Sequence, residues 1–452
     1  MKSLTMYTDM TKGKPSGLIL RFTVPLFLGN SFQQLYNMAD SMIVGKFVGA
    51  GALAAVGSTG TIMFLVLGIA IGLTTGFSVM TSQYYGAKDY QLVKYSFTGG
   101  IIMSGIFGII ITVASLSIMP FLLRVMNTPD DIFADALTYI NIICAGTLAT
   151  LFYNLMAAFL RAIGNSRVPL YFLIFSACLN VVLDIVFIIG LKAGVAGAAI
   201  ATVTSQGISA ILCVIYIYKK VTILRPARND WKLYKPCCKR QIDIGIPMAL
   251  ETGITASGTL IMQAALNIYG TLSIAGSTAA YRIINFMSQG LYSLGQTMAS
   301  YAGQNYGAGA YDRIAEGTRS AMKINAVYSI ITGILGAIFL SIFMRLFFSA
   351  DVSMSEVMPW ARIAHDECAV MYIALGAIFV YRNTLQGCGY SLQAMTMGIV
   401  ELTARIIMAV ISIHVYSYPM AIGADPAAWL TAGTFGWILY RILIYHKVKE
   451  GL

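Results

Sequence analysis

Hydrophobic residues are grouped along the chain into long apolar stretches that alternate with short polar connections. Each stretch spans about 20 residues or more, the length at which an α-helix crosses the hydrocarbon core of a bilayer. The pattern therefore predicts an all-α polytopic membrane protein with twelve transmembrane helices. Their expected bounds are 18–44, 52–79, 95–119, 132–159, 168–189, 194–218, 242–268, 274–301, 320–347, 366–385, 392–416 and 427–445.

Composition agrees with this fold class. Hydrophobic residues make up 58% of the 452-residue chain and charged residues only 11%, whereas a soluble protein has about 25% charged residues. The net charge of +11 does not indicate a nucleic-acid partner, because the basic residues lie in short connections between apolar spans. The seven cysteines show no spacing typical of metal ligands. We expect a monomer in the lipid bilayer, with no nucleic-acid partner and no cofactor.

The positions of lysine and arginine predict the orientation in the membrane. With the N-terminus inside, 23 of the 30 basic residues fall on the inner side, five on the outer side and two within spans. Cytoplasmic loops of membrane proteins carry such an excess of positive charge. We therefore expect a multi-pass protein of the plasma membrane, the inner membrane of a bacterium, with both termini in the cytoplasm.

The longest polar connection, 219–240, divides the spans six and six, and an internal repeat supports this boundary. Residues 83–87 (QYYGA) after the second helix match residues 304–308 (QNYGA) after the eighth, at an offset of 221. Pro25 and Pro247 correspond at an offset of 222. An even number of spans per repeat makes the repeats parallel, and two such halves can rock about a central site. The predicted organisation is an N-lobe at 1–218, a basic cytoplasmic linker at 219–240 and a C-lobe at 241–452.

Acidic and polar residues within three spans of the N-lobe form the strongest candidate site. A carboxylate in hydrocarbon costs about 3 kcal/mol or more, so such groups face a bundle interior or a watery cavity. Asn180 and Asp184 are four apart and share one helix face. Asp40 and Thr202 lie at similar depth from the outer surface. These four oxygen-bearing side chains predict a proton site, or a metal site if Na⁺ is the coupling ion. The alternative is an interhelical hydrogen-bond clamp.

Other polar residues within spans predict a substrate cavity. The first helix carries Gln34, Tyr36 and Asn37, more polarity than packing requires. Glu251 lies in the seventh helix, and Arg282 in the eighth has no partner within its own helix. We expect these five residues to line the cavity; contacts between neighbouring helices are the alternative.

Glu401 and Arg405 in the eleventh helix have the spacing of an intrahelical ion pair. We expect this pair to have a structural role, because a buried charge must be compensated.

Several motifs resemble the multidrug and toxic compound extrusion (MATE) transporters. Pro25 followed by 34–40 (QLYNMAD) is similar to the first helix of that family. The two QxYGA loops and 161–166 (RAIGNS) resemble its loop motifs after helices 2, 8 and 4. Asn180, Asp184 and Thr202 resemble the N-lobe cation site of the DinF-like branch. The likeness covers nearly the whole chain.

The resemblance implies a V-shaped pair of six-helix bundles with a central cavity. It also implies a secondary active multidrug exporter, which antiports small organic, often cationic, compounds against H⁺ or Na⁺ by alternating access. Glu251 resembles the helix 7 acid of the NorM-like branch. Residues 370–380 lack the helix 10 acid of that branch, so coupling is expected in the N-lobe.

Two alternative functions remain at this point. An exporter or flippase of lipid-linked saccharides from the same superfamily should need a strongly basic cavity. An intramembrane enzyme should carry a nucleophile with its base, or metal ligands at one depth, and the sequence offers no such pattern. We therefore expect a transporter and not an enzyme.

The predicted topology can be tested with Asn229→Cys in the linker. We expect this thiol to react with a membrane-impermeant maleimide only after the membrane is opened, because the charge distribution places the linker inside. Lys192→Cys, which the same distribution places outside, should react in intact cells. Labelling of the linker in intact cells would overturn the orientation.

Overall fold

The protein consists of helices joined by short connections. A computed structural model describes residues 7–347 and 353–447, and no β-strand occurs within these ranges. The α-helices in chain order are α1 Pro15–Phe47, α2 Ala50–Ser58, α3 Gly60–Gly86, α4 Tyr90–Val125, α5 Asp130–Ala145, α6 Thr147–Ala162, α7 Arg167–Asp184, α8 Gly194–Lys220, α9 Lys235–Leu266, α10 Thr271–Gly307, α11 Tyr311–Phe347, α12 Met354–Val370, α13 Tyr372–Gly387, α14 Ser391–Val415, α15 Tyr418–Ile422 and α16 Ala424–Tyr440.

Most of these helices are long and apolar enough to cross a membrane. In the described part of the chain, eight spans qualify singly, and two further spans are pairs of helices bent at a break, α5 with α6 and α12 with α13. The helices α1 and α10 contain 33 and 37 residues, about 50 Å or more at 1.5 Å per residue. They are long enough to cross as well, although they are more polar. The predicted all-α polytopic fold with twelve spans is confirmed.

The fourth predicted span is broken, which the apolar pattern did not reveal. Helices α5 and α6 meet at an angle of 46°. The break is at Gly146, where a Cβ atom would overlap the side chain of Val203 on α8. Glycine is therefore required there because another helix packs against the bend.

The tenth predicted span begins earlier than expected. Instead of starting at residue 366, it includes all of α12 from Met354, followed by a bend of 49° into α13. Helix α12 carries Glu356, Asp366 and Glu367. Because of these charged residues, the apolar pattern does not predict that α12 belongs to a span.

Apolar side chains lie on the exposed faces of the helices as well as in the buried core. On α4, Ile109, Val113 and Phe121 are 57%, 59% and 65% exposed. In contrast, Phe97 of the same helix is buried and packs on Phe159 of α6, with ring centroids 4.9 Å apart. An exposed apolar surface of this kind is expected where lipid tails replace water as the solvent.

The described chain forms two compact units that exchange short segments. The first contains the residues up to Asp9 together with Leu28–Gly253, and the second contains Met10–Phe27 with the residues from Ile254 onward. The first half of α1 thus packs in the second unit, and the first half of α9 packs in the first. The lobes predicted at 1–218 and 241–452 remain a prediction about the repeat, and the compact units divide the chain at other positions.

Candidate functional site

Asp40, Asn180, Asp184 and Thr202 all lie in the first compact unit, on α1, α7 and α8. The side chains of both aspartates and of Asn180 are buried, and Asp184 has no exposed surface. Asn180 Nδ2 donates to Thr202 Oγ1 at 3.3 Å, and Thr202 in turn donates to the carbonyl of Ala198 at 3.1 Å. A hydrogen bond therefore joins α7 to α8 beside the two acids.

The two carboxyl groups face each other. The side chains of Asp40 and Asp184 lie close enough to interact electrostatically with each other. Both oxygens of Asp184, Oδ1 of Asp40 and Oδ1 of Asn180 are buried without a donor among the described residues. Two ionised carboxylates cannot donate to each other, and buried oxygens without a partner are costly. A proton shared between the acids, or a monovalent cation, would satisfy this arrangement.

The backbone changes its helical form directly after Asp184. Helix α7 ends at this residue, and Ile185–Gly190 continues as a π-helical segment. Such wide turns are rare and are frequent at functional sites, because they shift the direction of nearby side chains. On α8, Gly197 permits the segment to pack closely, since a Cβ there would lie 3.1 Å from Phe187 Cβ.

Two further polar residues, Gln206 and Tyr139, lie near this site, although the sequence did not single them out. Gln206 of α8 interacts with Tyr36 of α1, which also interacts electrostatically with Asp40 and Asp184. Tyr139 of α5 is buried and interacts electrostatically with both Tyr36 and the acids. Gln206 follows Thr202 by four residues on α8, so helical spacing from a residue already chosen would have found it. For Tyr139 the sequence carried no comparable signal.

The residues predicted to line the cavity are divided between the two compact units. Gln34 and Asn37 are exposed on α1, and Glu251 is buried on α9, all within the first unit. Arg282 is exposed on α10 in the second unit. Their role as cavity lining stays a prediction.

Glu401 and Arg405 form an ion pair that belongs to a larger buried network. Arg405 Nη2 lies 2.8 Å from Glu401 Oε1, Arg382 Nη2 lies 2.7 Å from Glu401 Oε2, and Arg405 Nε lies 2.7 Å from Asp425 Oδ1. Two guanidinium groups thus balance two carboxylates across α13, α14 and α16. Gly258 of α9 leaves space for the network, because a Cβ there would lie 2.8 Å from Arg405 Nη1.

The sequence did not identify the outer members of this network. Arg382 falls within the predicted span 366–385 and is buried on α13. Asp425 falls before the predicted span 427–445 and lies in the first turn of α16.

The tenth span carries an acid outside residues 370–380. Glu367 lies on α12, the first part of the bent span. Its Oε2 atom would be 3.3 Å from a Cβ at Gly423, the residue that precedes α16. Residues 370–380 contain no acid, so the expectation of coupling in the N-lobe stays a prediction.

Comparison with protein families identifies the family of this chain and agrees with the internal repeat. A family model described as MatE matches residues 25–186 and 247–411. The chain belongs to the MatE family. The two matched segments begin at Pro25 and Pro247, the residues that the internal repeat aligns.

Named relatives of this MatE protein are described as drug-resistance proteins. The probable multidrug resistance protein YpnP of Bacillus subtilis (strain 168) is 28% identical over 399 residues, which cover 87% of each chain. The probable multidrug resistance protein YoeA of the same strain is 28% identical over 329 residues, 70% of each chain. A solved MOP superfamily transporter from Pyrococcus furiosus superposes with a TM-score of 0.92 at 23% identity, covering 99% of both chains.

Members of the MatE family are transporters, so this chain is a membrane transporter and not an enzyme. The prediction of a multidrug exporter is confirmed at the level of the family. The alternative of an intramembrane enzyme is thereby excluded. Within the described residues, no group of three or more His, Cys, Asp or Glu side chains could hold a metal ion.

The buried network predicts a stability effect of Glu401→Gln. Removing this charge leaves two buried guanidinium groups with one carboxylate between them, and breaking a buried pair typically costs about 3–5 kcal/mol. We expect a clearly lower unfolding temperature and lower yield of purified protein, measured by thermal unfolding in detergent.

Glu251→Gln provides the matched control. It removes the same kind of charge from a buried residue outside the network, and we expect it to retain the unfolding temperature while changing substrate range or rate. Equal stability of both variants and wild type would contradict the structural role of Glu401.

Proposed function

We propose that this transporter exports organic, often cationic, drugs in exchange for H⁺ or Na⁺ bound at Asp40, Asn180, Asp184 and Thr202. The observation that carries the coupling site is the pair of buried, interacting carboxyl groups, three of whose four oxygens have no donor among the described residues. The names of its relatives support drugs as cargo. Transport is driven by the ion gradient, and no cofactor is needed.

Cation binding gives the acid pair two states of different energy. Without a cation, the doubly ionised pair suffers both like-charge repulsion and the loss of hydration. With a proton or Na⁺ between Asp40 and Asp184, the repulsion is removed and the oxygens gain a partner. The two states favour different arrangements of α1, α7 and α8, since these helices carry the four side chains.

Exchange of cargo for cation follows if the cargo binds more tightly to the state without a cation at the acid pair. A cation that enters from outside then promotes release of the cargo, and by linkage the cargo and the cation weaken each other's binding. Gln34 and Asn37, exposed on the same helix as Asp40, are proposed to contact the cargo. In this way one helix responds to both ligands.

The lipid-linked saccharide alternative needs free positive charge in the transport pathway. Arg382 and Arg405 do not supply it, because Glu401 and Asp425 neutralise them. We therefore favour cationic or neutral cargo. We further propose that the protein acts as a monomer in the bacterial plasma membrane, with its basic linker and both termini in the cytoplasm.

The coupling site is tested by Asp40→Asn and Asp184→Asn in purified, reconstituted protein. Each should retain the fold and lose gradient-driven dye efflux, because a neutral amide no longer exchanges a cation. Asn180→Ala and Thr202→Ala should slow efflux about fivefold, since a coupling of about 1 kcal/mol is lost. Imposing the pH and sodium gradients separately identifies the ion.

Asp135→Asn is the control for this test. It makes the same chemical change at an exposed residue of α5 in the same unit, and wild-type efflux is expected. If both site variants still concentrate dye against a gradient at the wild-type rate, the coupling site is wrong, and Glu251 becomes the leading candidate.

A further inference from the structure

Each repeat begins with a segment that packs in the compact unit formed mostly by the other repeat. Residues 10–27 belong to the second unit, although the rest of their repeat forms the first. Residues 232–249, which correspond to them at an offset of 222, belong to the first unit. We call these two stretches the leading segments. The exchange is reciprocal, so it follows the symmetry of the repeat.

One close contact of the first leading segment corresponds through the repeat to one close contact of the second. Thr23 Oγ1 and Thr297 Oγ1 share a buried hydrogen bond of 2.8 Å between α1 and α10. The corresponding positions, at offsets of 222 and 221, are Gly245 and Gly76. These glycines also touch, since a Cβ on Gly76 would overlap the Cα atom of Gly245.

The glycine contact is part of a continuous close approach between α3 and α9. Gly72 lies one turn before Gly76, and a Cβ there would come within 2.8 Å of Ala249 Cα. One further turn back, a Cβ on Gly68 would overlap the side chain of Thr252. Small residues four apart let helix backbones approach in a membrane, where packing rather than hydrophobicity drives association.

Polar contacts tie down the start of the first leading segment. Met10 is fully buried, and its N–H donates to Gln304 Oε1 at 3.0 Å. Asn305 Nδ2 donates to the Met10 carbonyl at 3.1 Å. Arg313 Nη2, near the start of α11, donates to the carbonyls of Met10 and Gly13 at 3.2 and 3.0 Å. One of the repeated QxYGA loops and the helix after it therefore hold this segment.

The region just before the second leading segment is held in a similar way. Gln91 Nε2, near the start of α4, donates to Asp230 Oδ1 at 2.7 Å, and Thr98 Oγ1 donates to the Asp230 carbonyl at 2.9 Å. Burial alone would raise the pKa of Asp230, but hydrogen bonds from Ala227 and Gln91 and the charges of Lys94 and Lys232 lower it. The equivalent helices α4 and α11 thus play the same part in both repeats.

The contact between Thr23 and Thr297 is of a kind that can separate at low cost. Thr297 also donates to the carbonyl of Ser293 at 2.9 Å, so its hydroxyl keeps a partner if Thr23 moves away. The glycine contact contains no polar side chain, whereas Gln241, earlier in the same segment, is buried and donates to the carbonyls of Phe77 and Ser96 at 3.0 and 2.9 Å. Pro25 and Pro247 each lie two residues after the contacting residue of their helix, where the missing N–H permits a bend.

We propose that the two leading segments form a reciprocal latch, which holds the transporter in one access state and must release during each cycle. By the charge distribution, the latch lies on the cytoplasmic side. Both contacts release together because the repeat relates them. The proposal rests on the proposed function, since a latch has a purpose only in a transporter that changes its side of access.

The latch is tested by Thr23→Cys with Thr297→Cys, whose thiols replace hydroxyls that already touch. Oxidation should form a disulfide and lower dye efflux by the reconstituted protein at least about tenfold, a change equivalent to about 1.4 kcal/mol. Reduction should restore efflux. Each single variant, oxidised in the same way, should keep its transport. A pair that fails to crosslink, or one that crosslinks and still transports, would refute the latch.

Thiol labelling gives a second readout that does not depend on drug transport. Thr297 and Thr384 are both fully buried on helices of the second unit. Thr297 is hydrogen-bonded to Thr23 of a leading segment, whereas the hydroxyl of Thr384 donates to the Val380 carbonyl of its own helix. Thr297→Cys should react with a water-soluble maleimide from the cytoplasmic side as the latch opens, whereas Thr384→Cys should remain protected. Equal protection of the two thiols would mean a permanent contact.

The two proposals fail in different ways. If the coupling site is wrong, Asp184→Asn still drives efflux, while the oxidised cysteine pair still blocks it. If the reduced pair and wild type export no dye, the proposed function fails, and labelling of Thr297→Cys still decides whether the latch opens.

Discussion

A charged side chain without a partner is the most costly group in a membrane interior, and the two units treat this cost differently. In the second unit, Arg382, Glu401, Arg405 and Asp425 compensate one another at 2.7–2.8 Å. In the first unit, the buried oxygens of Asp184 have no donor among the described residues. Full compensation fixes one structure, whereas an incomplete site leaves a place for an exchangeable cation. The contrast explains why stability is assigned to one group and coupling to the other.

Packing in this fold depends on small residues because apolar surface alone gives no preference for a protein neighbour over lipid. Gly72 and Gly76 bring α3 against α9, and Gly146 allows α8 to pack at the bend between α5 and α6. The same absence of a side chain makes a contact close and yet free of polar groups that would need a new partner. Tight packing and easy separation are therefore compatible at these positions.

Much of the fold could be predicted because hydrocarbon imposes a minimum length and apolarity on every span. The candidate acids could be predicted for the related reason that charge is rare within spans. The site residues that could not be predicted from the sequence are those whose positions depend on tertiary contacts. Arg382 and Asp425 pair with Glu401 and Arg405 across helices, and Tyr139 lies near the acids only through folding. The helix α12 could not be predicted as part of a span, because spans were predicted from apolar stretches and α12 is polar.

The helix α1 connects the coupling site with the latch. Asp40 and Thr23 are 17 residues apart on this helix, about 25 Å along its axis, and Pro25 lies between them. The boundary between the two compact units falls between Phe27 and Leu28 of α1, so the two halves of this helix pack in different units. A ligand changes a conformational equilibrium only through contacts that differ between the states. Cation binding at Asp40 meets this requirement if it changes the bend of α1 at Pro25. The bend then determines whether Thr23 can form its hydrogen bond with Thr297.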